Sequence, residues 1–380
     1  MDEEIFKIHA KHTGVLGIES DFDVSNKKEL GEAYTPGVAK ISKAIEKDPT
    51  LKDKYTMSGK LVGVVSDGTA ILGLGNIGPA AGLPVIEAKA LLYKDLAGVD
   101  ALPIAINPSD ANTMKENLKA ISLSFAGIHL EDIAAPKCFE LEEALSKELD
   151  IPVYHDDQEG TAIVVLAGLI NAAKVVNKKL TDLKVLINGV GASGVATARL
   201  LNKVGIKHLT LVDIDGVVKP DSSDYNKYQV DLAKESIGTE GNTLDDVIDG
   251  QDVFIGLSVA NVLSADQVKR MAKDPIIFAL ANPVPEIDPK VAKEAGAAVV
   301  ATGSGKYPNQ VNNILAFPGL FKGLLETGIK KVTYQIEEVV ARALADLIPN
   351  PTPDEIVPGV FDKKVVPTVT KSIEDYSANH

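Results

Sequence analysis

The sequence predicts an α/β protein: a doubly wound parallel sheet preceded by a helix-rich α/β domain. Three observations carry this. From residue 183 onward, short apolar runs alternate with helical stretches, the pattern of a parallel sheet with helices on both faces. The first of those runs leads directly into a glycine-rich turn, Gly189-Val190-Gly191-Ala192-Ser193-Gly194. Further upstream, Glu131-Asp132 and Asp156-Asp157 each close a short apolar run, with one helix-like stretch, roughly 137–147, between them. That strand–helix–strand order puts both acidic pairs at the carboxyl ends of neighbouring parallel strands, the edge where open α/β sheets bind ligands.

The elements follow in order. Val38, Ile41 and Ile45 mark a helical face after a polar stretch at 25–32. A strand at 61–65, a helix at 84–96 and a strand at 102–106 come next, and Pro108-Ser109-Asp110 starts a helix running towards residue 123. The apolar stretch 161–176 reads as a buried helix joining two domains. Beyond it, strands are expected at 184–188, 208–212, 253–256, 276–279 and 298–301, with a helix at 194–204 and another at 332–347, before a proline-rich polar tail. The expected domains are 1–159, 160–330 and 331–380, the last folding back on the first.

Composition narrows the function. The chain has 380 residues, 39 basic against 53 acidic, for a net charge of −14. Such a balance disfavours nucleic acid or an anionic membrane as partner. Cys138 is the only cysteine, which excludes an intrachain disulfide. No apolar run approaches the roughly 20 residues needed to span a bilayer, and Met1-Asp2-Glu3-Glu4 lacks the features of a signal peptide. The cytoplasm is the expected location.

The G-x-G-x-x-G pattern occurs twice, at 73–78 and at 189–194. The second copy follows an apolar strand, opens a proline-free helix and leads to a strand ending in Asp213, a Rossmann-type dinucleotide fingerprint in full context. Its glycines allow close approach to a pyrophosphate, and the helix N-terminus supplies N–H groups for the anion. Asp213 is placed to bind a ribose 2′-OH. With Asp215 beside it and no cation before Lys219, NAD is expected over NADP. The first copy reads as a tight turn, because Pro84 is expected to interrupt a helix there.

The two pairs, Glu131-Asp132 and Asp156-Asp157, bring three or four carboxylates to one sheet edge, where they would repel one another unless a cation lay among them. All-oxygen ligation favours Mg²⁺ or Mn²⁺. Asp156 reads as a helix cap. His129 and His155 stay outside the ligand set. A dinucleotide site beside a hard-metal site implies hydride transfer from a substrate that chelates the metal through an oxygen next to a carboxylate. It also calls for a base for the alcohol proton and an acid for an enolate.

These motifs together resemble malic enzymes of the short bacterial and archaeal type. The resemblance spans nearly the whole chain. It is carried by residues 32–39 (Glu-Ala-Tyr-Thr-Pro-Gly-Val-Ala), 66–78, Lys89, Glu131-Asp132, 155–162 (His-Asp-Asp-Gln-Glu-Gly-Thr-Ala), Ala281-Asn282-Pro283, 310–313 and Phe317-Pro318-Gly319. It implies that Tyr34 is the general acid, Lys89 the general base, and Glu131, Asp132 and Asp157 the metal ligands. Asn282 and Asn313 become contacts to substrate or nicotinamide. The implied reaction is oxidative decarboxylation of L-malate to pyruvate and CO₂ with NAD(P), in a homodimer or homotetramer. Burial and a nearby cation are expected to depress the Lys89 pKa. Larger family members carry an arginine where Ala70 stands, so Ser66, Thr69 or backbone N–H groups near Gly75 become candidates to hold the second carboxylate. Alternatives are malolactic conversion to lactate, a non-catalytic nucleotide sensor, and an amino-acid dehydrogenase, which would need no carboxylate cluster.

Overall fold

The computed structural model describes residues 2–71 and 73–380. Two parallel sheets organise it. The first contains β1 (Leu61–Ser66), β2 (Asp100–Ala105), β3 (Gly127–Leu130) and β4 (Val153–His155), in the order β2-β1-β3-β4. The second contains β5 (Val185–Asn188), β6 (Leu209–Asp213), β7 (Gly216–Val217), β8 (Val253–Gly256), β9 (Ile276–Ala279) and β10 (Val299–Thr302), in the order β10-β9-β8-β5-β6-β7. β7 alone runs antiparallel, an edge strand absent from the sequence reading. β5, β8, β9 and β10 are buried at every residue, as parallel strands covered on both faces must be. The strand order reverses between β5 and β8, so the carboxyl ends of those two strands flank the crevice where such sheets hold ligands.

Helix Thr161–Val175 joins the two sheets and buries twelve residues, Ala162 to Ala173. Asn171 within it donates to the carbonyls of Ala345 and Ile356, at 2.8 and 3.0 Å, which fixes the C-terminal chain against the joint. Helices Phe317–Thr327, Tyr334–Asp346 and Val365–Asn379 complete this layer. The last replaces the expected polar tail: Val365, Val369 and Ile373 form a buried stripe. A Cβ at Gly319 would lie 2.7 Å from the Cβ of Val369, so glycine lets these two helices approach closely.

Pro84 does not stop a helix. Helix Pro79–Leu92 runs through it. The proline removes one N–H bond near the start of the helix, and the Ala80 acceptor it frees belongs to an exposed residue that water can reach.

Where the first sheet's helix Lys137–Glu148, helix Ala192–Lys203 and helix Tyr334–Asp346 meet, Glu142, Glu159, Glu337 and Arg199 line a cavity of about 320 Å³. Burial, then the neighbouring Glu142 carboxylate, pushes the Glu337 carboxyl up to about 8, against the opposing pull of Arg199. The folded state therefore binds a proton that the unfolded chain releases near its ordinary value of 4.5. Stability is full below that value and falls as pH rises through about 8. Glu337→Gln is expected to flatten this loss, on the order of 2 kcal/mol, in urea unfolding curves compared at acidic and alkaline pH.

Candidate active site

β3 pairs with β4 with Leu130 opposite His155. The residues that follow, Glu131-Asp132 and Asp156-Asp157, therefore emerge side by side. Asp132 takes a left-handed backbone conformation, φ 55°, which aspartate tolerates, and its carbonyl accepts from the Ala70 N–H at 3.0 Å. Its own N–H donates to Asp157 Oδ2 at 2.9 Å. Glu131, Asp132 and Asp157 each offer an oxygen within 4.8 Å of the others. Burial first, then the Glu131 charge, raises the Asp157 carboxyl to about 6. This all-oxygen, mutually repelling donor set suits a hard divalent cation.

Lys89 projects from its helix into the same cluster. Its Nζ pairs with Asp156, lies 3.3 Å from Glu131 Oε1 and 3.5 Å from Asn313 Oδ1, and sits 4.8 Å from the centre of the Phe317 ring. Asp156 is thus no cap. It is fully buried, pairs with Lys89 and accepts from the Tyr154 hydroxyl at 2.7 Å. The local pattern resembled a helix start, but Lys89 arrives from a separate helix and claims the carboxylate. Nor is the Lys89 pKa depressed in this arrangement. Burial pushes the ammonium down, but Asp156 and Glu131 outweigh it and the net direction is up.

The floor of the site is aromatic. His129 Nε2 lies 2.6 Å from Glu131 Oε2, and the Tyr93 hydroxyl lies 2.8 Å from His129 Nδ1. A carboxylate only accepts, so Nε2 carries the proton and Nδ1 accepts from Tyr93. Phe317 and Phe321 pack edge-on against Tyr93, bringing the C-terminal layer against the first sheet. The sequence placed Asp156 at this edge but gave it a capping role, and it missed His129, Tyr93 and Tyr154 as parts of this cluster. Only the proximity of His129 to the acidic pairs signalled any of the three.

The turn that follows β1 is occupied by its own contacts. The Thr69 hydroxyl donates to Asp67 Oδ1 at 2.6 Å and accepts from the Ala134 N–H at 3.0 Å. Ser66 Oγ accepts from the Gly68 N–H at 3.0 Å, and Asp67 is held by Lys137. Thr69 is therefore committed to the loop rather than open to a ligand. Asn282 lies on the facing loop after β9, where its carbonyl would be 3.3 Å from a Cβ at Gly73. Tyr34 stands apart. It is 65% exposed, and its hydroxyl has no hydrogen-bond partner among the described residues.

At the second sheet, Gly189 has φ 99°, and a Cβ there would lie 2.5 Å from the Leu257 carbonyl. A Cβ at Gly194 would lie 2.0 Å from the Gly189 carbonyl, whereas one at Gly191 would meet nothing within 4 Å. The outer glycines serve the turn, and the middle one faces open space. Helix Ala192–Lys203 begins at Gly191 with no side-chain cap, so Ala192 and Ser193 leave N–H groups for an anion. Val190 is fully buried. Gln229, another residue the sequence reading missed, donates to the Val190 carbonyl and to Asp213 Oδ2, both at 2.9 Å, and clamps the fingerprint to Asp213.

Comparison with known proteins decides the family. The family model "Malic enzyme, N-terminal domain" matches residues 20–120, and "Malic enzyme, NAD binding domain" matches 158–374. This chain is a malic enzyme. The bifunctional malic/malolactic enzyme of Bacillus subtilis is 46% identical over 98% of this malic enzyme and 92% of its own length. The NAD-dependent malic enzyme of Geobacillus stearothermophilus is 46% identical over 95% of this chain and 76% of its own. The crystal structure of the NAD-dependent malic enzyme of Thermotoga maritima superposes with a TM-score of 0.94 at 42% identity, covering 97% of this chain and 98% of that one. This malic enzyme is accordingly an oxidoreductase of the short type that oxidatively decarboxylates malate with NAD(P). No helix among the described residues is long and apolar enough to cross a membrane.

Proposed function

We propose that this malic enzyme converts L-malate to pyruvate and CO₂ with NAD, using Lys89 as base, Tyr34 as acid, and Glu131, Asp132 and Asp157 to hold Mg²⁺ or Mn²⁺. The observation that carries the reading is the convergence of the three carboxylates with Lys89 at one sheet edge. A divalent cation held by Glu131, Asp132 and Asp157 would supply Lewis acidity toward the hydroxyl oxygen on the carbon being oxidised and would favour the neutral, proton-accepting form of Lys89. Lys89 Nζ, in its neutral form, takes the malate hydroxyl proton as the C2 hydride leaves for the nicotinamide. The resulting β-keto acid loses CO₂. The enolate carbon then takes the Tyr34 Oη proton, and the phenolate recovers its proton from Lys89. Asn313, 3.5 Å from Lys89 Nζ, and Asn282 orient substrate or nicotinamide from the facing loops. Cytoplasmic location is the reading supported by a lone, buried, unpaired Cys138.

NAD preference rests on Asp213. Its carboxylate, held by Gln229, suits a 2′-OH and repels a 2′-phosphate. With malate and Mn²⁺, NAD is expected to be reduced faster than NADP, with pyruvate accumulating. Asp213→Ser is expected to narrow the kcat/KM ratio between the two cofactors by about tenfold, an energy of about 1.4 kcal/mol. Lactate forming without net NADH would replace this reading with malolactic chemistry.

A further inference from the structure

We propose that Glu286 is a positioning residue for hydride transfer: its carboxylate ties the loops after β8 and β9 together and so sets the wall against which the nicotinamide rests. The proposal rests on the reading of the 189–194 turn and Asp213 as the NAD site. Asp213, at the end of β6, takes the adenosine ribose, and the turn after β5 takes the pyrophosphate. The nicotinamide then lies on the far side of that turn, over the ends of β8 and β9. Glu286 belongs to the loop after β9 and is completely buried. Its Oε2 accepts from the Ala281 N–H, at the start of the same loop, at 3.0 Å. Its Oε1 accepts from the Ser258 N–H, in the loop after β8, at 3.1 Å. The backbone continues the seam, with the carbonyls of Pro285 and Glu286 accepting from the Asn261 and Leu263 N–H groups at 3.1 and 3.0 Å.

Among the described residues no cation pairs with Glu286; backbone N–H groups alone meet its oxygens. A carboxylate buried without a cation is costly, and an apolar side chain would fill the same space. Two acceptor oxygens for donors on two loops are what a carboxylate supplies. The strand below makes room for it: a Cβ at Gly256 would lie 2.4 Å from Glu286 Cδ. What the carboxylate holds is the site itself. Ala281 precedes Asn282, whose carbonyl faces Gly73 and whose Nδ2 would be 2.5 Å from a Cβ at Gly303. Ser258 Oγ accepts from Asn188 Nδ2 at 2.7 Å, and the Leu257 carbonyl abuts Gly189, the first glycine of the fingerprint. One side chain thus fixes Asn282 relative to the turn that grips the pyrophosphate. A misplacement of about 1 Å between such groups is enough to slow hydride transfer.

Glu286→Gln keeps the shape and one acceptor but turns an NH₂ group toward a backbone N–H. ADP-ribose, which lacks the nicotinamide, is expected to bind this variant and the wild type alike in calorimetry, whereas NAD binds about tenfold more weakly. With malate and Mn²⁺, kcat is expected to fall about a hundredfold. The deuterium isotope effect on kcat, from malate labelled at C2, is expected to rise as hydride transfer becomes the slow step. A side chain that only held the fold would lower the melting temperature and both affinities together and leave the isotope effect unmoved. That outcome overturns the proposal, as do NAD affinity and turnover equal to the wild type. Wild-type protein that binds no ADP-ribose overturns the cofactor reading, and this proposal with it. Gly256→Ala keeps the charge but pushes the carboxylate aside, and is expected to give the same weakened NAD binding beside unchanged ADP-ribose binding. It decides the matter where Glu286→Gln does not fold, and wild-type NAD affinity in it overturns the proposal.

Discussion

Lys89→Ala is expected to lower kcat by about three orders of magnitude, the scale of a positioned acid–base group. It is also expected to destabilise the metal-free protein. Asp156 is completely buried and Glu131 nearly so, and Lys89 is the cation they share. Removing one partner of a buried ion pair leaves an uncompensated charge, at a cost of about 3–5 kcal/mol. The two effects separate with Lys89→Arg, which keeps the positive charge but cannot give up a proton at ordinary pH. Arginine is expected to restore most of the thermal stability and almost none of the turnover. Steady-state rates together with urea unfolding of both variants provide the check. An active Lys89→Arg enzyme would place the base elsewhere.

Asp157→Asn is expected to weaken Mn²⁺ binding by about a hundredfold and to lower malate turnover at limiting metal by a similar factor. Asparagine preserves an oxygen for the Asp132 N–H, now accepted by Asp157 Oδ2 at 2.9 Å, so the Asp132 turn should stay in place. What is lost is one of the three charges within 4.8 Å of one another. Stability should move the opposite way from Lys89→Ala. Burial and the Glu131 charge both work against an ionised Asp157, so the neutral amide should leave the metal-free protein at least as stable as the wild type. Mn²⁺ titration followed by calorimetry, with melting measured with and without metal, tests both halves. Unchanged Mn²⁺ affinity would remove Asp157 from the ligand set.

These opposite signs arise from one crowded cluster, in which the cation from Lys89 lies against one side of a carboxylate group whose other side suits a metal. Glu131 belongs to both sides: Oε1 is 3.3 Å from Lys89, and Oε2 is 2.6 Å from His129. Any change in what occupies the metal side therefore reaches Lys89 directly through Glu131.

Much of this was legible in the residue order because it is local. An apolar run ending in Glu131-Asp132, a helix, and another run ending in Asp156-Asp157 determine by themselves that four carboxylates meet at one sheet edge, since parallel strands joined by a helix must end on the same side. The same holds for the turn at 189–194, where strand, glycine spacing and helix are contiguous. Tertiary structure decided what no local pattern contains. Asp156 looked like a cap until a lysine 67 residues away took its charge. Pro84 looked like a break until the helix around it left the freed carbonyl in water. The raised Lys89 pKa follows from carboxylates brought in by two other strands. Residue order fixes which groups lie at the ends of its elements, whereas the distance and burial of groups far apart in the chain, and hence their charge states, depend on how those elements pack.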